Sequence, residues 1–249
     1  MFDELTNWIT NYMIEILPAI LTKSYEDLKN KVAIMRGVVP MVQIDISDGV
    51  YTKNYTWPFT TAGLSIDAYD LDQHAQAILN EEEGLPFWED IDFEFDLMVR
   101  DAVENFHFYM KFGPKRIVFH LEAQEDLNAF QEFLEGIDMY VRENIQIGIA
   151  LKTTTAVETI FSIVPHVDFV QCMGIENVGF QGQEFDERVL NQIKTLKEKF
   201  SGLTISVDGG VNIDTAHTLV EAGAGRLIVG SAIFGSDDVL GAVEMFEGL

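Results

Sequence analysis

The sequence predicts an α/β chain closed into a (β/α)8 barrel, the TIM architecture, in a single domain with a short N-terminal helical extension. Three observations predict it. Eight short apolar runs alternate with helix-like stretches along nearly the whole chain. Most of those runs are continuously apolar, as strands covered on both faces must be. Acids and glycines recur at the carboxyl ends of many runs rather than at one place. That last point ranks the barrel above the alternative, a doubly wound open sheet with a single switch point.

The elements follow in order. Residues 1–15 read as the helical extension, with Phe2, Leu5, Trp8, Ile9, Tyr12 and Met13 making one face apolar. Such a face suits capping the barrel floor or meeting another copy of the chain, so a homo-oligomer is an open expectation. Residues 16–249 read as the barrel. Its strands are expected at Ile16–Leu21, Val42–Ser47, Phe93–Val99, Arg116–Glu122, Ile145–Leu151, Phe169–Ile175, Thr204–Asp208 and Arg226–Gly230. Helical patterns span Tyr25–Met35, Leu127–Leu134, Arg188–Phe200 and Ile213–Ala222. Asp186 and Asn212 stand at capping distance before the last two. The stretch Tyr51–Asp92 is long for one βα unit, and its Glu81-Glu82-Glu83-Gly84 segment reads as a solvated loop.

Composition narrows the function classes. A chain of 249 residues with 47% hydrophobic residues can bury one large core. No apolar run approaches the ~20 residues of a membrane helix. The net charge of -25 excludes nucleic acid and anionic membrane as expected partners. It leaves room for a phosphate held by backbone N–H groups. Cys172 is the single cysteine, so no intrachain disulfide forms, which fits a reducing cytoplasm.

The carboxyl ends of the strands carry the chemistry. Gln43 with Asp45, and Asp96 with Met98, stand two apart and share a side of their strands. His120 and Glu122, then Met173, then Asp208, follow at later strand ends. Asp45 and Asp208 each close an apolar run ahead of glycine. Two acids delivered to one pocket rim suit removal of a proton from one face of a carbon and its return to the other. Gln43, Asp45, Asp96 and Asp208 would converge as an oxygen-rich cluster. A divalent cation is the simplest compensation for such charge, with Mg²⁺ or Mn²⁺ favoured over Zn²⁺ by the oxygen donors. No organic cofactor is expected. Asp48 and Asp96 could instead bond loop backbone or cap helices. His120 and Glu122 could face the pocket or sit in the core, and Met98 and Met173 could be core filler. Glycine turns follow the last three strands: Gly179 and Gly182 with Gln183, then Gly209-Gly210, then Gly230-Ser231. Glycine permits N–H groups to converge on an anion, so the set reads as a phosphate cradle.

At these residues the chain resembles the ribulose-phosphate 3-epimerase family. The resemblance runs from Leu17-Pro18-Ala19-Ile20-Leu21 to Gly230-Ser231-Ala232-Ile233-Phe234. Its specific pieces are Asp45-Ile46-Ser47-Asp48-Gly49, Asp96-Leu97-Met98, Gly179-Phe180-Gln181-Gly182-Gln183-Glu184-Phe185 and Val207-Asp208-Gly209-Gly210-Val211. It implies interconversion of ribulose 5-phosphate and xylulose 5-phosphate by two-base proton transfer at C3, with Asp45 and Asp208 as the acids. It implies a metal at the substrate's ketone and hydroxyl, and Met98 and Met173 capping the enediolate. The chain departs from the family pattern at Gln43 and Asp96, both histidine there. It departs also at Ala19 and Ser47, and in a loop after Met173 that runs one residue longer without its proline. These changes imply a harder site with weaker Zn²⁺ affinity, and either Mg²⁺ or Mn²⁺ use, no metal, or loss of epimerase activity. A ketohexose 6-phosphate substrate and a non-catalytic sugar-phosphate-binding barrel remain alternatives. A decarboxylase of the same fold would pair Asp45 and Asp48 with a lysine, for which Lys53 is the candidate.

Overall fold

The computed structural model describes residues 14–63, 70–180 and 182–249. The apolar N-terminal face expected before Ile14 therefore lies outside the described residues. Eight parallel strands close into a barrel in sequence order. They are β1 (Glu15–Ile20), β2 (Met41–Ser47), β3 (Asp92–Met98), β4 (Arg116–His120), β5 (Gln146–Leu151), β6 (Phe169–Met173), β7 (Thr204–Asp208) and β8 (Arg226–Val229). Closure by β1 against β8 rules out the open sheet.

Nine described α-helices surround the strands: α1 (Tyr25–Met35), α2 (Gln73–Leu79), α3 (Phe106–Met110), α4 (Leu127–Gly136), α5 (Met139–Asn144), α6 (Arg188–Lys199), α7 (Ile213–Ala222), α8 (Ser231–Phe234) and α9 (Val239–Glu247). Between β5 and β6 the chain makes only 3-10 turns, Val157–Ile160 and Val164–His166. Local chemistry sets the helix starts. The Asn212 side chain accepts from the backbone N–H groups of Asp214 and Thr215, and the Thr215 hydroxyl accepts in return from the Asn212 N–H. The Asp186 carboxylate accepts from the Arg188 N–H at 3.1 Å, although Glu187 is the residue next to the first turn. Glu81, Glu82 and Glu83 are exposed, as expected of a solvated loop.

The outward side chains of the strands and the inward stripes of the helices make one continuous core. Aromatic rings dominate part of it: Phe119 meets Phe106, Phe130 and Phe133 at centroid distances of 5.7–5.8 Å. The inward side chains differ, because the barrel's inside must also serve its mouth. Strand register places Gln43 beside Glu94 and Asp45 beside Asp96 on the inner surface, and Met173 beside Asp208. Two strands end two residues sooner than expected. After His120 the chain turns into a 3-10 helix at Leu121–Ala123, and after Met173 it bends at Gly174.

Glu15 opens β1 rather than closing the extension. Its carboxylate accepts from Arg116 at 2.7 Å and from Arg226 at 2.9 Å. Burial pushes its pKa up, but those bonds outweigh burial and the net shift is down. Glu94 meets the same two arginines at 3.6 Å without a hydrogen bond, and neither carboxylate oxygen finds a partner among the described residues. Here burial wins over both arginine charges, and the pKa is pushed up to about 7.

This gives a pH dependence with a definite sign. Neutral Glu94 stabilises the fold fully below its ordinary value of 4.5, and that stability is lost as pH rises through about 7. The span amounts to about 3 kcal/mol. Asp45, also pushed up to about 7, shares the window. Glu94→Gln is therefore expected to flatten, without abolishing, the fall in stability that urea unfolding measures from about pH 5 to about pH 9. An unchanged slope would show that Glu94 ionises in the fold at no cost.

Candidate active site

The carboxyl ends of the strands form a cavity of about 340 Å³. Asp45 from β2 and Asp208 from β7 both line it, with β1 and β8 between their strands. Met98 and Met173 line it as well. They pack with Val118, Ala150, Phe169 and Val178 into a small apolar cluster of their own, with Tyr51 against its side. The floor is thus charged on one side and apolar on the other.

Asp45, Asp96 and Asp208 each offer an oxygen within 4.8 Å of the others. Two ionised carboxylates at that distance repel by about 3 kcal/mol or more at a typical effective dielectric. Burial raises the pKa of Asp45 to about 7, with the Asp96 charge adding to it. Burial also raises the pKa of Asp208 above the carboxylate range, with the Asp45 and Asp96 charges behind it. The pair titrates as one unit that readily holds a single proton. Asp45 is buried, whereas Asp208 keeps partial exposure.

Gln43 sits behind these acids, fully buried. Its Nε2 donates to Asp45 Oδ1 at 2.8 Å and to Asp208 Oδ2 at 3.2 Å. Its Oε1 is buried with no hydrogen-bond partner among the described residues. Reversing the amide would set Oε1 against two carboxylates, so the partners themselves fix its orientation. Gln43, expected among the oxygen donors, turns its nitrogen to the acids instead. The three carboxylates make an all-oxygen, strongly negative set that fits a hard divalent cation.

Asp96 stands behind the cavity wall rather than on it. Its Oδ1 is 2.8 Å from His120 Nε2, and its Oδ2 accepts from Gln171 Nε2 at 3.4 Å. His120 is fully buried, and its Nδ1 lies 3.5 Å from the Tyr51 hydroxyl. Glu122 accepts from the Lys152 N–H at 2.8 Å and from the Thr155 hydroxyl. His120 and Glu122 therefore support Asp96 and a neighbouring loop, and neither lines the cavity. Asp48 bonds loop backbone, accepting from the N–H groups of Val50, Tyr51 and Arg100 at 2.7, 3.0 and 2.9 Å. It is thereby committed to the loop, as the simpler expectation for it had it.

The glycine turns line the same cavity. Gly179, Gly182 and Gln183 line it, as do Gly209 and Gly210, and Gly230 and Ser231. Gly182, Gly209 and Gly210 adopt φ of 74°, 90° and 68°. Close packing adds a second constraint. A Cβ on Gly210 would lie 2.9 Å from the Phe185 backbone, and one on Gly179 would lie 2.8 Å from the Thr52 side chain. The loop after β2 thus presses on the loop after β6, where the Asn54 amide donates to the Gly179 carbonyl at 3.4 Å. Gln183 spends its amide on the loop itself, donating to the carbonyls of Phe180, at 3.0 Å, and Asn177.

Sequence reasoning missed Gln171, Tyr51 and Asn212. Asn212 caps α7 and lines the cavity. Gln171 did carry a signal: it is a lone amide inside the apolar run Phe169-Val170-Gln171-Cys172-Met173.

Fold and site together define a parallel (β/α)8 barrel with paired buried acids and a glycine-lined pocket at the carboxyl ends of its strands. Solved structures share that fold. KGPDC from Streptococcus mutans superposes with a TM-score of 0.65 at 14% identity, covering 95% of this chain and 96% of that one. The 3-hexulose-6-phosphate synthase from Salmonella typhimurium gives 0.61 at 14% identity, covering 94% and 97%. Sequence places the chain more closely. The model of the ribulose-phosphate 3-epimerase family matches residues 15–234, and the chain belongs to that family. It is 28% identical to the ribulose-phosphate 3-epimerase of Bacillus subtilis over 242 residues, 95% of this chain and 99% of that protein. It is 27% identical to the cytoplasmic isoform of that enzyme in Oryza sativa, over 89% and 88% of the two chains. The relatives are isomerases by name, which supports an enzyme of that class here. No described helix is long and apolar enough to cross a membrane.

Gly210→Ala tests the loop geometry. Its positive φ and the Phe185 backbone both oppose a side chain, so a stability loss of ~1–3 kcal/mol is expected by urea unfolding. A loss within ~0.5 kcal/mol would show that the turn relaxes freely.

Proposed function

We propose that this protein epimerises C3 of a ketose phosphate, interconverting ribulose 5-phosphate and xylulose 5-phosphate. The observation that carries the reading is the pair Asp45 and Asp208, two acids on one cavity that the glycine turns also line. The C3–H bond breaks as one carboxylate takes the proton, and its electron pair moves toward the C2 carbonyl. The other acid delivers a proton to C3 from the second face. Reversal exchanges the roles. Burial and mutual repulsion hold both pKa values above the carboxylate range, so one acid stays protonated while the other is ionised near neutrality.

Met98 and Met173 present soft apolar surface where the enediolate forms, which keeps water from quenching it. Backbone N–H groups at Gly182, Gly209, Gly210 and Ser231 would hold the phosphate without a basic side chain, consistent with a chain of net charge -25. Asp45, Asp96 and Asp208 would hold a divalent cation, Mg²⁺ or Mn²⁺ in preference to Zn²⁺; when bound it supplies Lewis-acid polarisation of the ketone. A reducing cytoplasm suits the single buried cysteine, Cys172.

The test is incubation with ribulose 5-phosphate in D₂O, with deuterium at C3 read by NMR. Asp45→Asn and Asp208→Asn are each expected to slow turnover at least ~100-fold. Exchange with a ketohexose 6-phosphate alone would move the substrate to that class. Thermal stabilisation by sugar phosphates without exchange from any of them would overturn the epimerase reading in favour of a binding protein.

A further inference from the structure

Among the described residues, Gln43 is the one side chain that hydrogen-bonds both proposed proton-transfer acids. It lies 165 residues from Asp208 in sequence and two from Asp45, and it is fully buried on the inner face of β2. Its two N–H groups go one to each carboxylate, at 2.8 and 3.2 Å. The carbonyl end of the same amide is left buried without a partner among the described residues. Leaving a buried acceptor unpaired is costly, so the orientation persists only because the donor end serves both carboxyl groups, one of them ionised near neutrality.

We propose that Gln43 is a positioning residue that acts as a donor, bridging Asp45 and Asp208 so that the protein itself holds the two acids at their working separation. This rests on the epimerase reading for its consequence, but not for its geometry. An amide suits the role for a physical reason. It offers two hydrogens from one nitrogen, adds no charge between two acids, and cannot lose a proton to either of them. A ligand role would require the opposite face of the amide.

The deciding measurement is the Gln43 side-chain amide in the ¹H–¹⁵N NMR spectrum of the full chain, assigned by its loss in Gln43→Leu. The proposal expects slow hydrogen exchange of that NH₂, and a shift of its signals in both Asp45→Asn and Asp208→Asn. Exchange at the rate of a free amide, or insensitivity to either substitution, would overturn it. Turnover gives a second reading. Gln43→Leu is expected to lower kcat ~10-fold or more with KM within ~3-fold, because the acids lose alignment while substrate binding stays. An NMR-verified bridge in a chain that never exchanges C3–H would leave the Gln43 assignment standing and sink the epimerase reading alone.

Discussion

The crowding of three carboxylates at the mouth of one barrel is the constraint on which the rest of this structure depends. Asp45, Asp96 and Asp208 come within 4.8 Å of one another in a buried setting. Such a group is tolerated only if each member is answered. Asp96 is answered by His120 and Gln171, and Asp45 and Asp208 by Gln43. What those donors leave unmet appears as raised pKa values on Asp45 and Asp208. The repulsion that destabilises the fold is thus the same repulsion that would keep one proton available for transfer.

The barrel floor solves a related problem with different means. Glu15 gains close bonds to Arg116 and Arg226 and is held ionised. Glu94, nearer the acids, meets the same arginines only at 3.6 Å and is held toward the neutral form. A fully ionised Glu94 would add a fourth negative charge one register step below Asp96. Its incomplete pairing lets the arginines tie the lower strands together without charging the layer beneath the site. Burial and distance together decide which effect wins: Glu94 is fully buried and farther from the two arginines, whereas Glu15 keeps some exposure and bonds them directly.

Much of this was legible in the chain. Continuous apolar runs marked the strands because a parallel strand has no wet face, and glycine after Asp208 marked a turn with positive φ. Period-two spacing placed Gln43 beside Asp45 and Asp96 beside Met98 on inner faces. What spacing could not show was which way an amide turns. Gln43 was legible as a polar neighbour of an acid, but its role depends on Asp208, a residue far away in sequence. The same limit hid Gln171, whose partner Asp96 lies 75 residues earlier. Strand ends were read long at His120 and Met173 for a simpler reason. Hydrophobicity continues into residues that are buried by a 3-10 turn or a bend, and burial alone does not distinguish a strand from the turn that follows it.

The departures from the family pattern are easier to understand as a set than singly. An acid at position 96 adds charge to an already crowded site, and a lone substitution of that kind would be hard to accommodate. In this chain it arrives with a buried histidine at 2.8 Å, a buried amide on the facing wall, and a second amide between the other two acids. Each of these groups contributes donors and no negative charge. The site is therefore not a metal centre with two ligands missing. It is a different distribution of the same burden, in which side-chain N–H groups carry part of the compensation that imidazole ligands and a cation would otherwise share. Such a site answers its acids from within the protein, and its carboxylate oxygens are of the kind that fits a hard cation.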